Sequence, residues 1–276
     1  MSKIDSHQHF WKFDAVRDAW ITDDMAVIQR DFMPHDLLPL LQQNGLDGCV
    51  IVQSDESEAE NEFQLANADD NDFVKGLVGW VELVSPNVEE RLAYYSQFKK
   101  LKGFRHVLQG MTQRDFMLTP AFLNGISLLN KYSFTYDILI FPDQLKFAAE
   151  LVAKFPEQKF VLDHIAKPFI KDEVIEGWDT DIKALGQYEN VYCKVSGMVT
   201  EARWNNWAET DFHPYMDTVV NAFGTDRLMF GSDWPVCLVA ASYSQVVNIV
   251  ESYFSTFSPD ERAAFFGGNA CDFYSL

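Results

Sequence analysis

The stretch FTYDILIFPDQLKFAAELVAKFPEQKFVLDHIA, residues 134–166, decides the fold predicted for this chain. Two apolar runs, 134–140 and 159–166, flank a segment at 142–155 in which apolar residues recur at spacings of three and four. A proline opens this middle segment and another follows it, as expected for a helix. The flanking runs are continuous rather than strictly alternating, which is typical of parallel strands covered by helices on both faces. The stretch therefore predicts a strand, a helix and a parallel strand.

The same alternation of short apolar runs and helix-like segments extends along the whole chain. Strands are predicted at 3–10, 48–54, 74–83, 101–109, 134–140, 159–166, 191–197 and 227–234. Helices are predicted at 34–44, 88–98, 120–132, 142–155, 181–188, 213–224, 243–254 and 259–266. This is the count of a (β/α)8 TIM barrel, so we predict one α/β barrel domain over residues 1–276. The alternative, an open doubly wound sheet, would need a glycine-rich phosphate-binding turn, and neither GxGxxG nor GxxxxGK[ST] occurs.

The composition restricts the partners of this protein. Of its 276 residues 47% are hydrophobic, and 22 Lys and Arg against 41 Asp and Glu give a formal net charge of −19. A field of that sign repels phosphate backbones and anionic lipid, so we discount nucleic acid and membranes and favour a small, neutral substrate. The charge is equally consistent with a role in solubility alone. The oligomeric state stays open at this level.

Cysteine usage and the N-terminal residues bear on the compartment. Cys49, Cys193, Cys237 and Cys271 are far apart and form no CxxC pair, which is the pattern of reduced thiols in a cytosolic protein. The chain begins with a polar, histidine-containing strand rather than a signal peptide, and no apolar run approaches the roughly 20 residues of a membrane span. We therefore expect a cytoplasmic protein.

Four polar residues at predicted strand ends form a candidate site, because a (β/α)8 barrel carries its active site at the carboxyl ends of its strands. His7 and His9 lie two residues apart on the first strand and therefore share one face of it. They are spaced to hold one divalent ion or to flank one substrate group. His164 at the end of the sixth run and Asp233 at the end of the eighth would complete a nitrogen and oxygen site suited to zinc or manganese. Asp233 is also predicted to take a proton from an attacking water, the alternative being an N-cap of the next helix.

Other residues near the strand ends are predicted to contact the substrate or stabilise its transition state. Arg105 and His106 are adjacent, so only one of them faces the pocket on a regular strand, and Arg105 is favoured. Lys194 is expensive to bury without a partner, so it is either a pocket cation or half of an ion pair. Further candidates for substrate contact are Asp137 and three tryptophans, for which core packing is the alternative: Trp11, Trp80 and Trp234.

Four motifs distributed over the chain together resemble the amidohydrolase superfamily. They are DSHQHFW at 5–11, VLDHIAKP at 161–168, FGSDWPV at 230–236 and GGNACDFYSL at 267–276. More narrowly they resemble the amidohydrolase-2 branch, which includes sugar lactonases acting on L-fuconolactone or L-rhamnonolactone and the related pyrone-dicarboxylate lactonases. The similarity spans essentially the whole chain.

This resemblance implies a (β/α)8 barrel that hydrolyses a cyclic ester, such as a neutral sugar lactone. By motif match, His7 and His9 are the first-strand pair, His164 is a later histidine of the site, and Asp233 activates water. Binuclear members carry a carboxylated lysine on the fourth strand, but Lys102 comes too early in that strand. One metal ion or none is therefore expected.

The predicted mechanism is attack of water on the lactone carbonyl, with proton transfer through Asp233 to the ring oxygen. Imidazole or cationic groups would stabilise the oxyanion, and the candidates are His7, His9, Arg105, His106 and Lys194. Two alternatives from other classes stay open. One is decarboxylation of an aromatic carboxylic acid, which related barrels perform, and the other is binding of a sugar acid without turnover.

Overall fold

The computed structural model describes residues 2–276, in which eight parallel strands form one sheet in chain order. The strands are β1 (Ile4–Gln8), β2 (Gly48–Val52), β3 (Val74–Gly79), β4 (Leu101–Val107), β5 (Thr135–Leu139), β6 (Phe160–Leu162), β7 (Val191–Val195) and β8 (Leu228–Phe230). Each lies inside one of the predicted runs, although most are shorter at their carboxyl ends. The order and direction of the strands confirm the predicted (β/α)8 TIM barrel.

The barrel closes where β8 meets β1. The His9 amide donates to the Trp234 carbonyl at 2.7 Å, and the Asp233 amide donates to the His7 carbonyl at 2.8 Å. The Ser6 hydroxyl adds a bond of 2.6 Å to the Phe230 carbonyl. Closure therefore holds the histidine-bearing end of β1 against the segment that carries Asp233.

Helices cover the outside of the barrel between the strands. They are α1 (Pro34–Gln43), α2 (Glu58–Asp69), α3 (Val88–Tyr95), α4 (Pro120–Leu129), α5 (Leu145–Lys154), α6 (Trp178–Leu185), α7 (Met198–Glu201), α8 (His213–Phe223), α9 (Tyr243–Tyr253), α10 (Pro259–Ala263) and α11 (Asn269–Tyr274). Each predicted helix has a counterpart among them. Within residues 2–276 no helix is both long and apolar enough to cross a membrane.

Helix α2 was not predicted, because its inner face is polar. Asn61 exchanges two hydrogen bonds with the backbone of Trp80, at 2.6 and 2.8 Å. Gln64 donates to the Phe10 carbonyl at 2.6 Å. The helix thus attaches to the barrel through side-chain amides as well as through the buried Leu65 and Ala68. The missed signal was its cap: the Ser57 hydroxyl accepts the Glu60 amide at 3.2 Å, an S-x-x-E start.

The bottom of the barrel is apolar and is closed by the end of the chain. The residues of this apolar cluster come from the inside of the strands and from α11, and they are Ile4, Val50, Val52, Val78, Val161, Met229, Ala270, Phe273 and Tyr274. Helix α11 therefore plugs the end of the barrel opposite the predicted site.

One buried carboxylate, Asp5, fastens β1 to the segment after β8. Its two oxygens accept the Ser232 amide at 2.8 Å, the Ser232 hydroxyl at 2.6 Å and the Tyr243 hydroxyl at 3.0 Å. The same carboxylate also accepts the His7 amide at 3.2 Å. Four donors from three parts of the chain therefore share one acceptor group.

We expect Asp5→Ala to lower the free energy of unfolding by about 3 kcal/mol, because several buried donors lose their only acceptor. Urea denaturation measures this change. Tyr243→Phe is the matched control, since it removes a single donor and should lower the free energy by only about 1 kcal/mol. Equal, small effects of the two variants would contradict the fastening role of Asp5.

Candidate active site

Three histidines converge on one carboxylate at the carboxyl end of the barrel. The Nε2 atom of His9 lies 3.3 Å from Asp233 Oδ1. The Nε2 atoms of His7 and His164 each lie 3.9 Å from the same oxygen. His7, His164 and Asp233 each offer a ligand atom within 4.8 Å of the others, and all three are buried. The structure therefore brings together the four residues predicted from the strand ends.

The Nδ1 atom of each of these imidazoles contacts a group other than Asp233. His9 Nδ1 lies 2.7 Å from the Val52 carbonyl, His7 Nδ1 lies 3.3 Å from Asp163 Oδ1, and His164 Nδ1 lies 2.9 Å from the Ser196 hydroxyl. The Val52 carbonyl only accepts, so we assign the ring proton of His9 to Nδ1, and the Nε2 atom of His9 faces Asp233. His7 Nδ1 also lies 3.2 Å from Lys194 Nζ, so this ring contacts both an acceptor and a donor. Such outer partners are what orients histidines that bind a metal.

Burial sets the charge of this cluster. It lowers the pKa of His7 and of His164 well below the ordinary value, although nearby carboxylates act in the opposite direction. Burial alone would raise the pKa of Asp233, but His164 and His9 outweigh it and the pKa lies below the ordinary value. Asp233 is therefore ionised, beside two rings, His7 and His164, whose pKa values burial lowers.

The backbone that presents His164 is strained. His164, Ile165, Ala166 and Lys167 all have positive φ angles, between 48° and 59°. The left-handed conformation costs about 1–2 kcal/mol per non-glycine residue, and runs of it are associated with functional sites. This run explains why β6 ends at Leu162 instead of extending through His164 as the apolar pattern predicted. Asp233, with φ of 57°, follows the end of β8 in the same way.

Glycine at 197 leaves room for the His164 ring. Its φ is +64°, and a Cβ atom there would lie 2.6 Å from His164 Nδ1. Both the backbone conformation and the close approach of the ring therefore require glycine. The next residue toward β7, Ser196, is the hydrogen-bond partner of that ring, so this turn orients His164 from two sides.

Below the histidines lies a buried ion cluster. Lys194 Nζ is 2.6 Å from Asp137 Oδ2 and 3.0 Å from Asp163 Oδ1. Arg105 Nη1 is 3.0 Å from Asp163 Oδ2, and its Nη2 donates to the Gln53 carbonyl at 2.6 Å. Lys194, Asp137 and Asp163 have no exposed surface. We name Arg105, Asp137, Asp163 and Lys194 the ionic floor.

The acids of the ionic floor have opposite shifts. Burial raises the pKa of Asp137 to about 6, against the influence of Lys194. Burial would also raise the pKa of Asp163, but Lys194, His7 and Arg105 outweigh it and hold that pKa well below the ordinary value. Asp163 therefore stays ionised beside Lys194, His7 and Arg105.

A cavity of about 340 Å³ opens above the histidines. Its lining residues are His9, Arg17, Trp20, Ser54, Asp55, Glu56, Arg105, Val107, Gln109, Leu139, His164, Lys167, Asp233 and Val236. Of the predicted substrate contacts, only Arg105 is among them. Lys194 and Asp137 lie beneath the cavity and not in its wall, because they pair with each other in the ionic floor.

The predicted role of His106 in the chemistry needs correction, because its ring faces away from the cavity. Arg105 points into the barrel, so its neighbour points out. The His106 ring packs against Trp80 and Phe122, with ring centroids 5.6 and 5.5 Å away. Neither His106 nor Trp80 lines the cavity.

The other two tryptophans also pack in the core rather than face the substrate cavity. Trp234 is 1% exposed and contacts the edges of the Phe10 and Phe32 rings. Trp11 is also 1% exposed, and its indole nitrogen donates to the Arg30 carbonyl at 2.9 Å. The alternative of core packing is the one that the structure supports.

Several cavity residues were missed by the sequence reasoning. Ser54 ends the predicted second strand and Asp55 and Glu56 follow it, so the rule about strand ends would have found them. Arg17 and Trp20 come from the long segment between β1 and α1, which has no periodic pattern. Trp20 is 43% exposed and meets the Trp11 ring edge to face. It is the tryptophan that the cavity presents to a ligand.

Comparison with known proteins places the chain in a family. A family model described as amidohydrolase matches residues 4–276. L-fucono-1,5-lactonases of Burkholderia multivorans and Burkholderia ambifaria are 38% and 34% identical, each over 99% of this chain and 96% of that protein. An amidohydrolase from Burkholderia multivorans, crystallised with bound zinc, has a TM-score of 0.97 at 38% identity over the full length of both chains. This protein therefore belongs to the amidohydrolase family, in the amidohydrolase-2 branch that its motifs indicated.

Proposed function

We propose that this protein is a hydrolase that opens a neutral sugar lactone of the L-fucono-1,5-lactone kind to the corresponding sugar acid. The observation that carries the proposal is the convergence of three imidazole Nε2 atoms on Asp233 Oδ1 at the base of the cavity. The names of the relatives supply the reaction class, since two lactonases match the chain over nearly its whole length.

The donor set fits one divalent metal ion. His9 Nε2 and Asp233 Oδ1 lie 3.3 Å apart, close enough to be ligands of one cation. His7, His164 and Asp233 would hold the ion, with His9 beside them. Arg105 Nη1 lies 3.3 Å from His7 Nε2, so a bound ion would replace the guanidinium as the partner of that lone pair. A bound divalent ion supplies Lewis acidity toward the lactone carbonyl oxygen.

Asp233 moves the proton in the proposed reaction. Its ionised carboxylate accepts a proton from water as the water oxygen bonds to the carbonyl carbon. The bond between that carbon and the ring oxygen then breaks, and Asp233 returns the proton to the ring oxygen. One water molecule is consumed and one hydroxy acid is formed. The low pKa set by His164 and His9 keeps Asp233 in the basic form at neutral pH.

The cavity wall suits a neutral, polyhydroxylated ring. The wall carries negative charges from Asp55 and Glu56 and positive charges from Arg17 and Lys167. It therefore has no excess of positive charge that would select an anion. The Nε atom of Arg105 is buried and has no hydrogen-bond partner among the described residues, which leaves a donor for the substrate. Carboxylate and guanidinium groups are strong partners for sugar hydroxyls.

Acid release from lactones tests the class of substrate. Purified protein should release acid from a neutral aldonolactone such as L-fucono-1,5-lactone, because the site joins a basic carboxylate to a polar, electrically mixed wall. A pH-indicator assay over a panel of aldonolactones measures this, with a pyrone dicarboxylate as the anionic comparison. Release of carbon dioxide from aromatic carboxylic acids, with silence on every lactone, would contradict the proposal and favour a decarboxylase.

The second prediction concerns the base. Asp233→Asn should lower kcat by roughly a thousandfold, because the amide cannot take the proton from water. Steady-state kinetics measures this, and circular dichroism verifies that the fold is retained. Asp179→Asn, on the outer helix α6, is the matched control and should keep normal rates. Near-native turnover by the Asp233 variant would exclude this residue as the base.

The third prediction concerns the metal. Protein dialysed against zinc and then against metal-free buffer should retain about one ion per chain, because the site offers one cluster of nitrogen and oxygen ligands. Elemental analysis measures the content. His164→Ala should lose the ion, whereas His35→Ala should keep it, since the His35 side chain is exposed on α1. Full activity of metal-free enzyme in chelator would instead assign the histidines to hydrogen bonding of the carbonyl.

A further inference from the structure

The last helix reaches from outside the barrel into its interior. Helix α11 ends at Tyr274, whose side chain is 2% exposed. Two lysines hold this end of the chain: Lys102 Nζ donates to the Ser275 carbonyl at 2.8 Å, and Lys159 Nζ donates to the Asp272 carbonyl at 3.0 Å. Lys102 on β4 and Lys159, the residue before β6, thus hold the end of α11 that carries Tyr274.

The hydroxyl of Tyr274 contacts the ionic floor. It donates to Asp137 Oδ2 at 2.7 Å, and the same oxygen accepts Lys194 Nζ at 2.6 Å. Lys194 continues to Asp163 Oδ1 at 3.0 Å, and this oxygen lies 3.3 Å from His7 Nδ1. An unbroken chain of polar contacts therefore joins the last helix to a histidine of the active site.

Lys194 depends on this chain for its position. A lysine side chain is flexible, and an ammonium group held away from water takes its place from its charged partners. Asp137 Oδ1 has no partner among the described residues, so Asp137 is held by Tyr274 and Lys194 alone. The face of the Tyr274 ring also lies 5.5 Å from Lys194 Nζ, a cation–π contact.

We propose that Tyr274 is a positioning residue for the reaction. By holding Asp137 it fixes Lys194, and through Lys194 it fixes Asp163 and the His7 ring, whose Nδ1 lies 3.2 Å from Lys194 Nζ. The inference rests on the proposed function, because it assigns to the chain terminus a part in that same chemistry. It assigns no contact between Tyr274 and the substrate, which the depth of the residue excludes.

Tyr274→Phe tests this, because it keeps the ring and removes only the hydroxyl. We expect kcat on the best sugar lactone to fall about tenfold, the effect of one lost hydrogen bond to a buried charged group, with KM within about twofold. Tyr192→Phe is the matched control: Tyr192 lies on β7 two residues before Lys194, and its ring meets Phe273 of α11 at 4.9 Å. The control should keep both constants. Equal kcat values for wild type and Tyr274→Phe would overturn the proposal.

A double-variant cycle separates positioning from general loosening of the barrel. If Tyr274 acts only through Asp137, then Tyr274→Phe combined with Asp137→Asn should be no slower than Asp137→Asn alone. Two losses that multiply would overturn the proposal, because they would mean independent effects. If the Tyr274 variant does not fold, Asp137→Asn alone tests the proposal. It interrupts the same series of polar contacts and should show the same selective loss in kcat.

A spectroscopic measurement keeps the proposal testable whatever the substrate proves to be. The chain has 6 histidines, so a nitrogen-15 histidine spectrum at one fixed pH resolves the individual rings. Tyr274→Phe should change the two ring-nitrogen shifts of His7 and leave His35 and His213 unchanged. An unchanged His7 signal would overturn the positioning role, whereas inactivity of the wild type on every lactone would overturn only the proposed reaction.

Discussion

The pairing of Lys194 with Asp137 and Asp163 is the interaction on which the active site depends. A lysine with no exposed surface is tolerated only when opposite charges surround it, because removing an ammonium group from water costs several kcal/mol. Here the partners come from β5 and from the segment after β6, while Lys194 itself lies on β7. The ion cluster therefore holds three neighbouring parts of the barrel at fixed distances. The histidines lie above the ionic floor. Asp163 Oδ1, 3.3 Å from His7 Nδ1, helps to fix the position of the His7 ring.

The interior of the barrel is built in layers with different chemistry. The bottom layer is aliphatic and aromatic and is closed by α11. The middle layer is the ionic floor, and above it lie the three histidines around an ionised Asp233. The ionic floor is buried, so the interactions among its charges act in a medium of low dielectric constant. A rigid, charged support of this kind is what a reaction needs when its groups must already be in position before the substrate arrives.

The loops above the barrel form much of the cavity wall, and they differ in origin from the clustered histidines and Asp233. These clustered side chains lie on β1 or directly after β1, β6 and β8, whereas much of the wall comes from the segment between β1 and α1 and from the turn after β2. The motifs shared with the family contain the clustered residues. The wall includes Trp20, Asp55 and Glu56.

The sequence by itself determined the barrel, its eight strands and the residues at the carboxyl ends of those strands. Apolar periodicity and the order of the motifs can both be read along the chain. His7, His9, His164 and Asp233 were found this way. Helix α2 was not predicted because its buried face includes side-chain amides. His164 was predicted to lie on a strand because apolar periodicity does not reveal a run of left-handed backbone. Only the tertiary structure decided that Lys194 and Asp137 pair below the cavity, that His106 faces outward and that Trp20 supplies the exposed indole. Each of those outcomes depends on distances between residues far apart in the chain, which no local pattern encodes.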